Sequence, residues 1–152
     1  MGQTIDIKAI STSHYNTGLE LAKLAVKELY GVQEFNMMEF NFKVKNLFVM
    51  PGNVTRGIFV DDHMVGFVIC SQNEMLWNDQ KKLSIDFFYI TAEHRSTDNI
   101  SKIYAYIEDY AFTNGYDSIR FDDSLPYFSD HVKSFDQTKQ ISTIYELSLI
   151  HI

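Results

Sequence analysis

Five histidines, one cysteine and twenty acidic residues are the groups in this 152-residue chain that could move protons or hold a metal. Their spacing narrows the chemistry. His14, His63, His94, His131 and His151 are scattered, and no two stand at the His-x-x-x-His spacing that puts ligands on one helix face. No metal site is expected. The single cysteine, Cys70, excludes a disulfide framework and a multi-cysteine zinc site. It ends an apolar run, so it reads as a small buried residue. Asp61-Asp62 and Asp122-Asp123 are adjacent pairs. Neighbouring strand residues face opposite ways, so neither pair forms a catalytic dyad, and solvated turn charges fit better. There is no Gly-x-Ser-x-Gly elbow and no phosphate-binding P-loop. Two features remain. Asp86 stands two residues beyond Ser84 on a predicted strand, hence on the same face. A polar run, Arg95-Ser96-Thr97-Asp98-Asn99, joins that strand to a helix.

The elements that position these residues follow from periodicity. Thr4 to Ile10 alternates as a strand, with Ile5, Ile7 and Ala9 on one face. Ser11-Thr12-Ser13 and Thr17-Gly18-Leu19-Glu20 are two candidate helix entries. Leu19, Ala22, Val26, Leu29 and Tyr30 then recur at helical spacing up to Gly31. Glu34 to Met50 is an apolar helix whose aromatics and methionines read as core or a groove wall. A hairpin follows: Gly57–Val60, the turn Asp61-Asp62-His63, and Met64–Cys70. Ser71 to Asp79 reads as a polar loop, and Leu83 to Thr91 as a strand. After the loop 92–98, Asn99 to Thr113 is a helix with Ile100, Ile103, Ile107 and Tyr110 or Ala111 inward. Ser118–Phe121 is a strand, Asp123 to Lys133 a short helix, and Ile141 to Leu149 a final strand. A helix between the Leu83 and Ser118 strands implies a parallel crossover. The expected fold is α/β: a mixed, mostly antiparallel sheet with one parallel pair and helices on both faces, as a single domain over 1–152.

Composition agrees. Hydrophobic residues make up 45% of the chain, enough for one core. The formal charge is −7, which repels phosphate backbones and argues against nucleic-acid binding. The first residues lack a basic segment followed by an apolar one, and no apolar run approaches the roughly 20 residues of a membrane span. These features predict a cytoplasmic protein with no membrane partner, as a monomer or homodimer.

Three stretches resemble the GNAT superfamily of N-acetyltransferases. Val60-Asp61-Asp62-His63-Met64-Val65-Gly66-Phe67 is similar to its central hairpin. Phe88-Tyr89-Ile90-Thr91-Ala92-Glu93-His94-Arg95, with a helix ending Asn114-Gly115-Tyr116, is similar to its acetyl-CoA strand, loop and helix. Lys133-Ser134-Phe135 and Ile144-Tyr145-Glu146-Leu147 resemble its closing Gly-Phe and last strand. The resemblance implies an acetyl-CoA donor and a primary amine acceptor, on a small cationic molecule or a protein. It implies that the backbone of Phe88, Tyr89 and Ile90 admits the pantetheine arm and polarises the thioester carbonyl. It places Arg95, Ser96, Thr97, Asp98, Asn99 and Ile100 at the pyrophosphate, on a helix N-terminus. Asp123 falls where the family has a residue contacting pantetheine. Asp86 is the implied base, because Ser84 stands where some members carry Glu. Counting back four from Ser134 gives Asp130 where the family has its thiolate-protonating Tyr, so Tyr127 is the nearest candidate acid.

The loop also departs from that pattern. Asp98 stands in place of the first glycine and Ile100 in place of a small residue. An Asp here is expected to cap the helix, occupy N–H groups a phosphate would use, and repel that phosphate. Ile100 adds bulk where close approach is wanted. These departures predict weak CoA binding. They keep open a second reading: a catalytically inactive GNAT-fold module that serves as a binding or interaction protein.

Overall fold

Asp61 and Asp62 both take positive φ, 50° and 64°, in a two-residue turn between strands. That is the geometry a tight hairpin requires, and short acidic side chains tolerate it. The computed structural model describes residues 4–34, 36–50, 52–74, 81–122, 138–141 and 144–148. These residues form β1 (Asp6–Ala9), α1 (Tyr15–Tyr30), α2 (Met37–Val49), β2 (Asn53–Val60), β3 (His63–Glu74) and β4 (Lys81–Ile90). Then come α3 (Thr97–Thr113), β5 (Ser118–Asp122), β6 (Thr138–Ile141) and β7 (Ile144–Ser148). Two compact units result, Met1–Ile69 with Phe88–Thr91 and Cys70–Phe87 with Ala92–Ile152.

In the first unit, β1 pairs antiparallel with β2, Ile7 opposite Ile58 and Lys8 opposite Gly57. Ile5 is buried while Ala9 is exposed, so the predicted inner face of β1 holds only at its start. A 3-10 turn at Thr12–His14 leads directly into α1. Ser11 opens it: its N–H donates to Nδ1 of His14 at 3.1 Å, and its Oγ lies 3.1 Å from the same nitrogen. The helix therefore starts before Thr17, and the second predicted entry is not used. The helix ends as expected, with Gly31 at φ 69° and its N–H bonded to the Lys27 carbonyl. Leu19, Leu21, Ala22 and Ala25 pack with Val44 and Phe48 of α2 and with Phe59, Met64, Phe67, Ile69 and Tyr89. The α2 segment is less buried than its composition suggests. Val44 and Phe48 reach the core, but Met37, Met38, Phe42, Val49 and Met50 are exposed.

In the second unit, β4 pairs parallel with β5, and β5 pairs antiparallel with β7. This is the mixed sheet with one parallel pair that the sequence implied. Ile100, Ile103, Tyr104, Ile107 and Ala111 form the buried stripe of α3. The final strand predicted over 141–149 is β7, and a strand the sequence reading did not predict, β6, precedes it. β6 pairs antiparallel with β7, Thr138 opposite Leu147. Its sequence, Thr-Lys-Gln-Ile, carries too little apolar alternation to announce a strand, and its outermost place in the sheet suits a polar edge. The stretch Ser71 to Glu74, predicted as loop, extends β3. The predicted helix from Asp123 to Lys133 lies outside the described residues.

Candidate active site

Two strands that run parallel need a long crossover, and α3 supplies it between β4 and β5. Their ladder begins at a clamp. The Asp117 N–H donates to the Lys81 carbonyl at 2.8 Å, and the Lys81 N–H donates to Asp117 Oδ2 at 2.9 Å. Three partner pairs follow: Lys82 with Ser118, Leu83 with Ile119, and Ser84 with Arg120. Among the described residues the ladder ends there. Yet β4 continues to Ile90, and β5 continues to Asp122 with its other edge still paired, Phe121 to Tyr145 and Asp122 to Ile144. The parallel strands are thus tied at one end and part beyond Ser84.

Asp86 and Phe87 follow this point, and both are exposed. Two exposed residues in succession break the alternation of a covered strand. Phe87 was not singled out from the sequence. The sequence offered no signal for it beyond its place next to Asp86.

Phe88, Tyr89 and Ile90 lie in the first unit and are buried there. The Tyr89 ring packs with its centroid 6.4 Å from that of Phe67, and the Thr91 N–H donates to the Val65 carbonyl at 3.0 Å. Any ligand contact by these three residues would therefore use backbone.

The polar run has its own architecture within the second unit. Ala92–His94 is a 3-10 turn closed by the Arg95 N–H on the Ala92 carbonyl. Arg95 is half-buried. Ser96, not Asp98, caps α3: its Oγ accepts the Asn99 N–H at 3.1 Å, and its carbonyl accepts the Ile100 N–H at 3.0 Å. The helix begins two residues earlier than expected, because serine at this place offers an acceptor at the right distance. The Asn99 amide donates back to the His94 carbonyl at 2.9 Å, which fixes the turn against the helix. The Thr97 and Asp98 N–H groups carry no bond to described residues, and both residues are exposed. These are the two first-turn donors open to an anion. Ile100 points into the core rather than outward, so its bulk is taken up by packing. The run of six is thereby divided: Ser96, Asn99 and Ile100 build the turn, Arg95 is half-buried beside it, and Thr97 and Asp98 are exposed. Asp123, Tyr127, Asp130, Ser134 and Phe135 lie outside the described residues.

Farther along the second unit, Tyr116 donates to Gln72 Oε1 at 3.1 Å, and the Lys81 ammonium sits 4.9 Å from its ring centroid. Burial, then Tyr110 and Cys70, push the Tyr116 phenol up. Burial first, and Glu108 second, push Tyr104 up as well. Among the described residues no three His, Cys, Asp or Glu side chains are grouped to hold a metal, and no helix is long and apolar enough to cross a membrane.

No family model matches this sequence, and no curated protein does. Solved structures do match its fold. A possible acetyltransferase from Clostridium difficile 630 superposes with a TM-score of 0.72 at 16% identity, over 90% of this chain and 94% of that one. The PaiA N-acetyltransferase of Thermoplasma acidophilum, solved with coenzyme A, gives 0.68 at 18% identity, over 95% and 99%. An aminoglycoside acetyltransferase from an uncultured soil metagenomic sample, in complex with sisomicin, gives 0.70 at 11% identity, over 90% and 91%. At such identities the likeness is one of backbone architecture, and by that architecture the chain has the fold of the GNAT acetyltransferases.

Proposed function

We propose that the protein is an N-acetyltransferase that moves an acetyl group from acetyl-CoA to a primary amine by direct attack. The observation that carries this reading is the parting of β4 from β5 after Ser84 and Arg120. An extended donor would lie where the two strands cease to pair. Neighbours of this fold solved with coenzyme A and with sisomicin support a CoA thioester donor and an amine-bearing acceptor.

The residues would divide the work as follows. The Thr97 and Asp98 N–H groups and Arg95 hold the pyrophosphate. The backbone of Phe88 to Ile90 receives the pantetheine arm and donates to the carbonyl oxygen as it gains charge. Asp123 contacts the arm. Asp86 accepts the proton of the acceptor ammonium, directly or through water. The amine nitrogen bonds to the carbonyl carbon, the C–S bond breaks, and Tyr127 protonates the departing thiolate. The net charge of −7 and the exposed Asp86 favour a cationic acceptor, a small polyamine-like or aminoglycoside-like molecule or a lysine side chain.

One observation favours a non-catalytic module instead. The Asp98 carboxylate stands exposed in the first turn of α3, beside the two open N–H groups. There it repels a phosphate. A thermal-shift titration with acetyl-CoA and CoA separates the two readings. One-site binding at 100 times Kd stabilises the fold by about 2.7 kcal/mol. No shift at millimolar ligand would overturn the acetyl-CoA reading in favour of the module.

A further inference from the structure

α2 carries two apolar rows. Phe40, Val44, Leu47 and Phe48 pack against the core of the first unit. Met38, Phe42 and Val49 stand outside it and are 84%, 67% and 53% exposed. Together with Lys45, also exposed, they follow one another at spacings of four, three and four residues. That is the alternation of a two-helix seam, which repeats every 3.5 residues and keeps to one side of the helix.

The charges along α2 select the partner. The chain holds 20 acidic and 13 basic residues, yet between Asn36 and Met50 Glu39 is the only acid. Glu39 pairs with Lys43 at 2.8 Å, one position away from the row. Lys45 is therefore the single charge within the row, and a lone polar residue in a seam fixes register and orientation. Two copies of α2 laid antiparallel bring Lys45 of each against Phe42 of the other, and Met38 against Val49. Every pair then forms twice about one two-fold axis. Each ammonium meets the face of a phenyl ring, which attracts it. Laid parallel, Lys45 would meet Lys45 and be repelled. We infer that this face of α2 is an interaction surface for a second copy of the chain, seated antiparallel. The inference does not rest on the acetyl-transfer reading. The row spans about 16 Å, short of a standard interface of about 800 Å² per partner, so the dimer should be weak, with a Kd on the order of 10–100 μM.

Sedimentation equilibrium of the full chain, from about 5 to about 500 μM, brackets that Kd and tests the inference. The mean mass of the unaltered protein should climb from monomer towards dimer across the range. Phe42→Lys sets like charges against each other in two places and should weaken association at least about tenfold. The swap Phe42→Lys with Lys45→Phe restores both unlike pairs and should bring the Kd back to within about threefold of the starting value. Met38→Glu should also weaken the dimer, and serves if Phe42→Lys fails to fold. A monomer at every concentration would overturn the inference and leave the row to a different partner. A dimer indifferent to Phe42→Lys and Met38→Glu would place the contact elsewhere on the chain. A swap that stays as weak as Phe42→Lys would overturn the antiparallel seating.

Discussion

Gly66 of β3 lies directly against the backbone carbonyl of Tyr89 on β4. A Cβ built on Gly66 would collide with that oxygen and come within 2.9 Å of Ile90 Cα. Both partners are strand backbone, so neither side can yield cheaply. Gly66→Ala should therefore destabilise the first unit by about 1–3 kcal/mol, as overpacked cores do. Urea unfolding reads the loss as a lower midpoint at unchanged slope. A midpoint equal to that of the unaltered protein would show that the strands separate freely here.

The cap of α3 separates two aspartate-or-serine accounts. Because Ser96 Oγ holds the Asn99 N–H, Ser96→Ala should cost about 1 kcal/mol. Asp98 contributes only its charge near the helix N-terminus, so Asp98→Asn should cost less, about 0.3–1 kcal/mol. Thermal melts of the two variants should rank in that order. The reverse order would return the cap to Asp98.

The same aspartate should oppose the donor. Asp98→Asn removes a negative charge beside the open Thr97 and Asp98 N–H groups, so CoA should bind about twofold to fivefold more tightly, an effect of the size helix-terminal charges show. The gain should shrink at high salt, since the site is exposed. Calorimetry at two salt concentrations checks both. Weaker binding in the variant would contradict the repulsion.

Asp86 is the base under the proposed mechanism. Asp86→Asn should lower kcat/KM by about 10²–10⁴, the range for loss of a general base, with little change in the Kd for CoA. Free-thiol release measured with a polyamine acceptor reports the rate. Turnover equal to that of the unaltered protein across the pH range would remove Asp86 from the chemistry.

Alkaline stability follows from the buried phenols. Burial raises Tyr116 and Tyr104, so the folded state holds their protons more tightly than the unfolded chain does. The unfolded chain then binds fewer protons above about pH 10, and stability falls as pH rises through that value. Below it the contribution is fully present. Tyr116→Phe should lose the bond to Gln72 at neutral pH but flatten the alkaline decline, as read from urea midpoints between about pH 8 and 11.

Much of the chain was legible from side-chain pattern alone. The stripe Ile100, Ile103, Ile107 and Ala111 and the stop at Gly31 required only local spacing and φ preference. The Asp61-Asp62 turn was legible for the same reason. The α2 segment misled, because an apolar residue announces hydrophobicity but not whether another element arrives to cover it. Met38 and Phe42 stay exposed while Phe48 is buried. Asp98 misled as a cap because serine and aspartate both accept a backbone N–H. Which one does so depends on where the chain leaves the Ala92–His94 turn.

The sequence by itself determined most of the described elements, the parallel crossover carried by α3, the acidic balance and the residue types offered to a site. Those depend on covalent order and on periods of 2 and 3.6 residues. Only the tertiary structure decided that the β4–β5 ladder stops at Ser84 and Arg120, that Ser96 rather than Asp98 closes the helix, and that Phe87 is left uncovered. Each of these is set by pairing between segments far apart in the chain, and no local pattern encodes where two strands cease to be neighbours.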